Sequence, residues 1–324
     1  HDADGQEKGE RRCFHGFTFA LRACLGFVIR HANGGGTAGR LDPPWAQMIA
    51  KQWHLAHGRH LELGATSRIM GVLNATPDSF SDGGRFATPD LAIAQAERMI
   101  GEGADIIDIG GESTRPGAEA ITAIEEQRRI LPVIEALAGR DGVALSVDTY
   151  RAETAALAVK AGAHIVNDVW GLQRDSGMAR VAAETGAGLV VMHTGRGRER
   201  LDDPIADQIA FLTASPALAA KAGAPSSSTL LDPGFGFAKE TPESNLDLIL
   251  RFRELLALGL PIAVGTSRKR FLGSVTGRSA EERDVVTAAS CAILRLGGAS
   301  VFRVHNVAFS KDALALADAM IARE

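Results

Sequence analysis

Residues 69–84, IMGVLNATPDSFSDGG, set the frame in which the rest of the chain is read. Ile69, Met70, Val72 and Leu73 make a short apolar run of the length of a buried strand. It stops abruptly at Asn74 and hands over to Thr76, Pro77, Asp78, Ser79, Asp82, Gly83 and Gly84. A strand therefore delivers a polar loop. Taken alone this is an ordinary surface turn after a core strand. Recurrence gives it weight, because apolar runs end in similar punctuation at 110–116 (GGESTRP), at Asp148 and Thr149, at Asn167 and Asp168, at His193, at 232–234, at 266–269 and at 303–305.

The runs predict strands over 69–73, 105–109, 143–147, 164–167, 188–192, 229–231, 262–265 and 300–304. Helical periodicity falls between them, over 91–101, 120–138, 152–161, 177–185, 203–222, 244–257 and 281–295, and again over 311–322. Short apolar strands joined by amphipathic helices call for a parallel sheet, and eight right-handed βα units close naturally into a barrel. The expected fold is α/β, a single (β/α)8 TIM barrel over 66–324 with an irregular, flexible N-terminal extension over 1–65 and a barrel-closing segment starting near Leu61. A doubly wound open sheet is the alternative. The barrel is preferred because polar residues follow essentially every strand, as they do when all the βα loops ring one mouth, and Asn74 and His305 then become neighbours across it.

Composition narrows the function. The chain has 324 residues, 45% of them hydrophobic, and a net charge of −4 from 35 basic and 39 acidic side chains with no long basic block, so the footprint of a general nucleic-acid binder is missing. Cys13, Cys24 and Cys291 are widely spaced and odd in number, which argues for a reducing compartment and against a disulfide framework. No window of apolar residues is long enough to suggest a membrane span. Phe14 to Ile29, after Arg11 and Arg12, loosely mimics an export signal, but Arg22 interrupts it and no A-x-A site follows. Gly34, Gly36 and Gly39 satisfy G-x-G-x-x-G without the strand–turn–helix setting a phosphate site needs.

Seven motifs then stand in order: NATPDSFSDGG, GGESTRPGA, SVDT, IVND, LDPGFGF, TSRK and RVH. Together they resemble the dihydropteroate synthase family over about residues 66–324. The resemblance implies condensation of 6-hydroxymethyl-7,8-dihydropterin diphosphate with p-aminobenzoate, releasing diphosphate with magnesium present, in a cytoplasmic homodimer that sulfonamides target. Its partners would be these small molecules, with no nucleic acid and no membrane.

Carried over residue by residue, the resemblance gives Asp232 the paired N–H donors of the pterin edge, with Asp148 and Asn167 completing that edge deeper in the barrel. A carboxylate can accept such donors in parallel. The competing reading makes both aspartates partners of backbone amides in tight turns. Lys269 is expected to hydrogen-bond the pterin, and Arg268 to pair with an acidic neighbour. Arg303 and His305, on alternating strand positions, are expected to hold the diphosphate together with Asn74 and Thr114, and Asn74 is the expected magnesium ligand. Phe80, Ser113, Thr114, Arg115, Pro116, Phe237 and Arg270 are assigned to the p-aminobenzoate pocket. Asp82 is assigned to stabilising a pterin methylene cation formed as diphosphate leaves, which makes Asp82, Lys269, Arg303 and His305 the expected catalytic set.

Two features depart from the family or fall outside it. Asn306 stands where the family commonly has Asp after RVH. The basic run 194–200 (TGRGRER) is either a solvated loop or an attractor for anionic substrate. His193 receives no role beyond structure. Two other functions fit a pterin barrel, a corrinoid-linked methyltetrahydrofolate methyltransferase and a non-catalytic pterin-binding module. The first leaves GESTRPG and TSRK without a purpose, and the second makes Lys269, Arg303 and His305 redundant.

Overall fold

The computed structural model describes residues 51–76, 89–112, 120–239 and 241–323. Eight parallel strands, β3 (Arg68–Asn74), β4 (Ile106–Gly110), β5 (Ala144–Asp148), β6 (Ile165–Asp168), β7 (Gly188–Met192), β8 (Thr229–Asp232), β9 (Ala263–Val264) and β10 (Val301–Val304), lie in the order β8-β7-β6-β5-β4-β3-β10-β9. A parallel bridge between Leu231 and Ile262, with the Leu231 amide 2.9 Å from the Pro261 carbonyl, joins the two ends of the sheet. The expected barrel is therefore the observed one.

Helices α1 (Pro89–Glu102), α2 (Ala123–Leu137), α3 (Ala152–Ala161), α4 (Met178–Thr185), α5 (Pro204–Ala222) and α6 (Pro242–Leu250) follow β3 to β8 in turn. Both α7 (Arg270–Thr276) and α8 (Asp284–Leu296) separate β9 from β10, and α9 (Val307–Ile321) ends the chain. Local chemistry explains where the boundaries fall. Asp203 caps α5 through the Ile205 amide ahead of Pro204, and Gly223 ends it in the left-handed region. The expected helix over 244–257 breaks at Arg251 into α6 and a 3-10 segment, Phe252–Leu258. Asn306 caps α9 through the Phe309 amide at 3.1 Å, so this helix starts four residues before the expected 311.

Side chains on a strand alternate between two faces, and here the alternation separates two cores. One face packs outward against the helices through residues such as Ile69, Leu73, Ile107, Ile109, Val147, Val191, Phe302 and Val304. The other face forms a smaller cluster inside the barrel. Met70, Ile106, Ala144, Ile165, Val190, Leu230, Ala263 and Val301, one from each strand, meet there with Trp53, Leu55 and Leu63.

Those last three residues correct the expected extension. The extension is expected to be irregular to residue 65 apart from a barrel-closing segment starting near Leu61, and the closing element begins ten residues earlier, where β1 (Lys51–His54) pairs with β2 (His60–Leu63) as an antiparallel hairpin that closes this apolar layer. Trp53 is 1% exposed, and its indole N–H donates to the Ser228 carbonyl at 2.8 Å. Gly188, at the start of β7, makes room for the hairpin, since a Cβ there would lie 2.5 Å from Leu55 Cδ2. The buried Arg295 on α8 donates to the Gly64 carbonyl at 2.8 Å and pairs with Asp318, tying the hairpin's exit to the last two helices.

Candidate active site

Two residues further along the inward face the character of the barrel changes. Ile106 is followed by Asp108, Ala144 by Ser146, Ile165 by Asn167, Leu230 by Asp232, Ala263 by Gly265 and Val301 by Arg303. At the mouth end, strand register puts Asn74, Gly110, Asp148 and Asn167 on one rung. Above the apolar layer lies a cavity lined by Asp148, Asn167, Asp232, Lys269 and Arg303 on its polar sides and by Val169, Met192 and Phe237 on its apolar side. Val169, Met192 and Phe237 pack together with Trp170, which gives the cavity one apolar wall.

Arg303 is the pivot of the polar side. Its Nε donates to Asp108 Oδ2 at 2.6 Å and its Nη2 to Asp148 Oδ2 at 2.7 Å. Asp108, fully buried, also accepts from Ser146 Oγ at 2.6 Å and Asn167 Nδ2 at 3.0 Å. One guanidinium thus serves two carboxylates. Burial raises the Asp148 carboxyl to about 7 against the pull of Arg303, and the nearby Asp108 adds to the rise. The guanidinium's remaining N–H groups take no part in these two bonds, and Arg303 lines the cavity.

Asp232 is the partner of a backbone amide in a turn and also lines the cavity. Its Oδ1 accepts the Gly234 amide at 2.7 Å. Burial raises its pKa, opposed by that amide and by Lys269 and Arg303. Lys269 sits over the Phe237 ring, Nζ 4.1 Å from the centroid, and burial together with Arg303 lowers its ammonium to about 8. His305 lies beside the site. Ser267 Oγ is 2.9 Å from its Nδ1 and accepts its backbone N–H at 3.1 Å, while burial and Arg303 push the ring down to about 3.

The cavity thus gathers Asp148, Asn167, Asp232, Phe237, Lys269 and Arg303 from six loops or strands. Asn74, half-buried at the end of β3, and His305 are not among its lining residues. Arg270 is exposed at the first turn of α7 and does not line it either. Phe80, Asp82, Ser113, Thr114, Arg115 and Pro116 lie outside the described residues. Arg268 pairs with an acidic neighbour as expected, its Nε and Nη2 lying 2.7 and 2.9 Å from the two oxygens of Asp284. Asn306 donates its amide to the same Asp284 at 3.1 Å, a contact that Asp could not make while ionised.

Part of the basic run is anchored. Arg198 grips Asp207 with both Nη atoms at 2.8 and 2.6 Å, and Arg196 lies 4.8 Å from the centre of the Phe237 ring. Asp108 and Lys239 are the polar residues the sequence reading passed over. Asp108 sits inside the apolar run DIIDI on the inward face, a buried charge that signals a partner. Lys239 follows GFGFA and gives no comparable local signal.

Comparison with known proteins agrees with this geometry. The family model for pterin binding enzymes matches residues 70–305. A dihydropteroate synthase of Bacillus subtilis is 45% identical over 278 residues, 85% of this chain and 97% of that protein. A solved Xanthomonas albilineans dihydropteroate synthase with 4-aminobenzoic acid superposes with a TM-score of 0.79 at 41% identity, covering 84% of this chain and 99% of that one. Another structure of the X. albilineans enzyme, in complex with 7,8-dihydropteroate, gives a TM-score of 0.75 at 39% identity, with 83% and 99% covered. Since the likeness runs nearly the whole length of these relatives, the chain belongs to the pterin-binding enzymes and, among them, to the dihydropteroate synthase family.

Proposed function

We propose a residue-level account of how this chain, a transferase of the dihydropteroate synthase family, joins 6-hydroxymethyl-7,8-dihydropterin diphosphate to p-aminobenzoate and releases 7,8-dihydropteroate and diphosphate. The observation that carries it is the convergence of Asp148, Asn167, Asp232, Lys269 and Arg303 on one cavity with an apolar wall. A flat heterocycle with a polar edge suits such a cavity. Asp232 Oδ2 accepts the pterin's adjacent N–H donors, and Asn167 and Asp148 meet the far end of the same edge. The wall of Val169, Met192 and Phe237 covers a ring face. Lys269 donates to the ring from its seat over Phe237.

Arg303 and His305 face the departing diphosphate. Charge-assisted hydrogen bonds contribute about 1.5–3 kcal/mol each, and they strengthen as the leaving group gains charge. Capture of the pterin methylene by the arylamine follows departure of the diphosphate.

Magnesium belongs to the proposal. The mouth offers the Asn74 amide oxygen, and no group of three or more His, Cys, Asp or Glu side chains is gathered for a metal among the described residues. That donor set fits an ion held mainly by diphosphate oxygens and water. When bound, the ion would neutralise charge on the leaving group. A homodimer is supported by exposed apolar side chains on the two C-terminal helices, among them Val285, Ile293, Leu316 and Met320. No helix among the described residues is long and apolar enough to cross a membrane. A cytoplasmic location is supported by the free, buried Cys291.

Product analysis tests the account. With both substrates and magnesium the chain is expected to form 7,8-dihydropteroate and diphosphate, and Lys269→Ala and Arg303→Ala to lose turnover by orders of magnitude. Methyl transfer from methyltetrahydrofolate without diphosphate release, or pterin binding without product, would establish one of the alternative functions instead.

A further inference from the structure

Behind the cavity lies a buried polar cluster that the account above leaves unused. Lys239 is 8% exposed and turns back into its own loop, where Nζ donates to the Gly234 carbonyl at 2.8 Å and lies 3.4 Å from the Phe237 carbonyl and 3.2 Å from His193 Nδ1. An ammonium has three donors, and three acceptors surround this one. His193 Nε2 lies 2.8 Å from both Asp207 Oδ2 and Arg198 Nη2, and because the two groups 3.2 Å from Nδ1, Lys239 Nζ and Gln208 Nε2, are donors, Nδ1 is the nitrogen that presents its lone pair to Lys239. Gln208 Nε2 lies 3.2 Å from the same Nδ1 and 3.1 Å from the Pro233 carbonyl. Because both of those neighbours are acceptors, the amide nitrogen belongs on that side, and Gln208 Oε1 is left buried without a hydrogen-bond partner.

These bonds converge on two adjacent peptide groups. The group linking Pro233 to Gly234 gives its carbonyl to Gln208 and its N–H to Asp232 Oδ1 at 2.7 Å. The next group gives its carbonyl to Lys239. Gly234 has φ +63°, and a Cβ there would lie 2.2 Å from the His193 carbonyl, so the turn is pressed directly against the end of β7. The His193 amide completes the join by donating to the Asp232 carbonyl at 2.8 Å.

We propose that Lys239, His193 and Gln208 are positioning residues for Asp232, fixing its carboxylate for the pterin by holding from behind the turn whose amide orients it. The inference rests on the pterin role given to Asp232 above. His193 acts here by facing Lys239 with an acceptor, which any group of that kind in the same place could supply.

The test is calorimetric binding of 6-hydroxymethyl-7,8-dihydropterin diphosphate to the full chain and its variants, with KM measured for each substrate. Lys239→Met and His193→Leu are expected to weaken binding of the pterin diphosphate by about tenfold or more at unchanged stoichiometry, with KM for p-aminobenzoate moving less than about threefold. His193→Gln, which can turn an amide oxygen toward Lys239, is expected to return to within about threefold of the parent. Unchanged stoichiometry restricts the reading to folded molecules. Parent-like affinity in Lys239→Met, equal losses in the two His193 variants, or equal rises in both KM values would overturn the proposal. A parent chain that bound no pterin diphosphate would overturn the Asp232 assignment itself, and this inference with it.

Discussion

The lower and upper layers of the barrel are built from the same strands two residues apart, and they are chemically opposite. Below, eight aliphatic residues close on Trp53, Leu55 and Leu63 with no charge among them. Above, Asp148, Asp232, Lys269 and Arg303 line a cavity, with Asp108 buried beneath Arg303, and Asp148 and Lys269 are pushed toward neutral pH from opposite directions. Burial of apolar surface stabilises the lower layer, while the upper one holds buried charges that are costly unless each finds a partner. The strand scaffold thus tolerates an expensive mouth because it is fastened at the base.

Four experiments can break or sharpen that contrast. Lys269→Ala is expected to reduce kcat/KM by about 10²–10⁴-fold while the unfolding midpoint stays level or rises, because a half-buried ammonium whose charge is disfavoured by desolvation and by Arg303 is removed. A large fall in stability would place Lys269 in the framework. Trp53→Ala is expected to do the converse, costing about 3–5 kcal/mol in urea unfolding and leaving kcat per folded molecule within about twofold. If activity fell with it, the two layers would not be separable.

Asp148→Asn addresses the mouth's own contribution to stability. The folded value of about 7 lies above the ordinary 3.8, so the stability this group contributes is present in full below about 3.8 and is lost as pH rises through 7. The variant lacks that dependence. Its stability relative to the parent is expected to improve from about pH 4 to about pH 8, and a constant difference would show that Arg303 keeps Asp148 ionised throughout. The smallest effect is expected from Asn306→Asp. The cap on α9 survives, but a carboxylate replaces the amide 3.1 Å from Asp284, with a loss of about 1 kcal/mol or less. A gain would mean that Arg268 neutralises both acids.

The upper layer was the more legible of the two in sequence. Its polar residues interrupt apolar runs at strand ends, so Asp148, Asn167, Asp232, Lys269 and Arg303 stand out one by one, and the barrel follows from their regular spacing. Asp108 escaped because it sits inside a run that reads as wholly apolar, and only the inward phase of β4 reveals it. The hairpin escaped for a different reason. Only Trp53 is buried in β1, His57 takes φ +60° in the turn, and the polar residues around them, Lys51, His54, Arg59 and His60, resemble a solvated linker until the base of the barrel is there to receive the tryptophan. Lys239 could not be found locally, since its bonds to the Gly234 and Phe237 carbonyls exist only once the loop has turned back on itself, and His193, just past β7, is brought to it by the fold.

The most direct test of the central claim is a crystal structure with 6-hydroxymethyl-7,8-dihydropterin diphosphate bound. The account predicts the ring in the cavity with its N–H edge on Asp232 and Asn167, one face against Met192 and Phe237, and the diphosphate toward Arg303 and His305. A pterin seated elsewhere, or one in this cavity with its diphosphate directed away from Arg303, would contradict it.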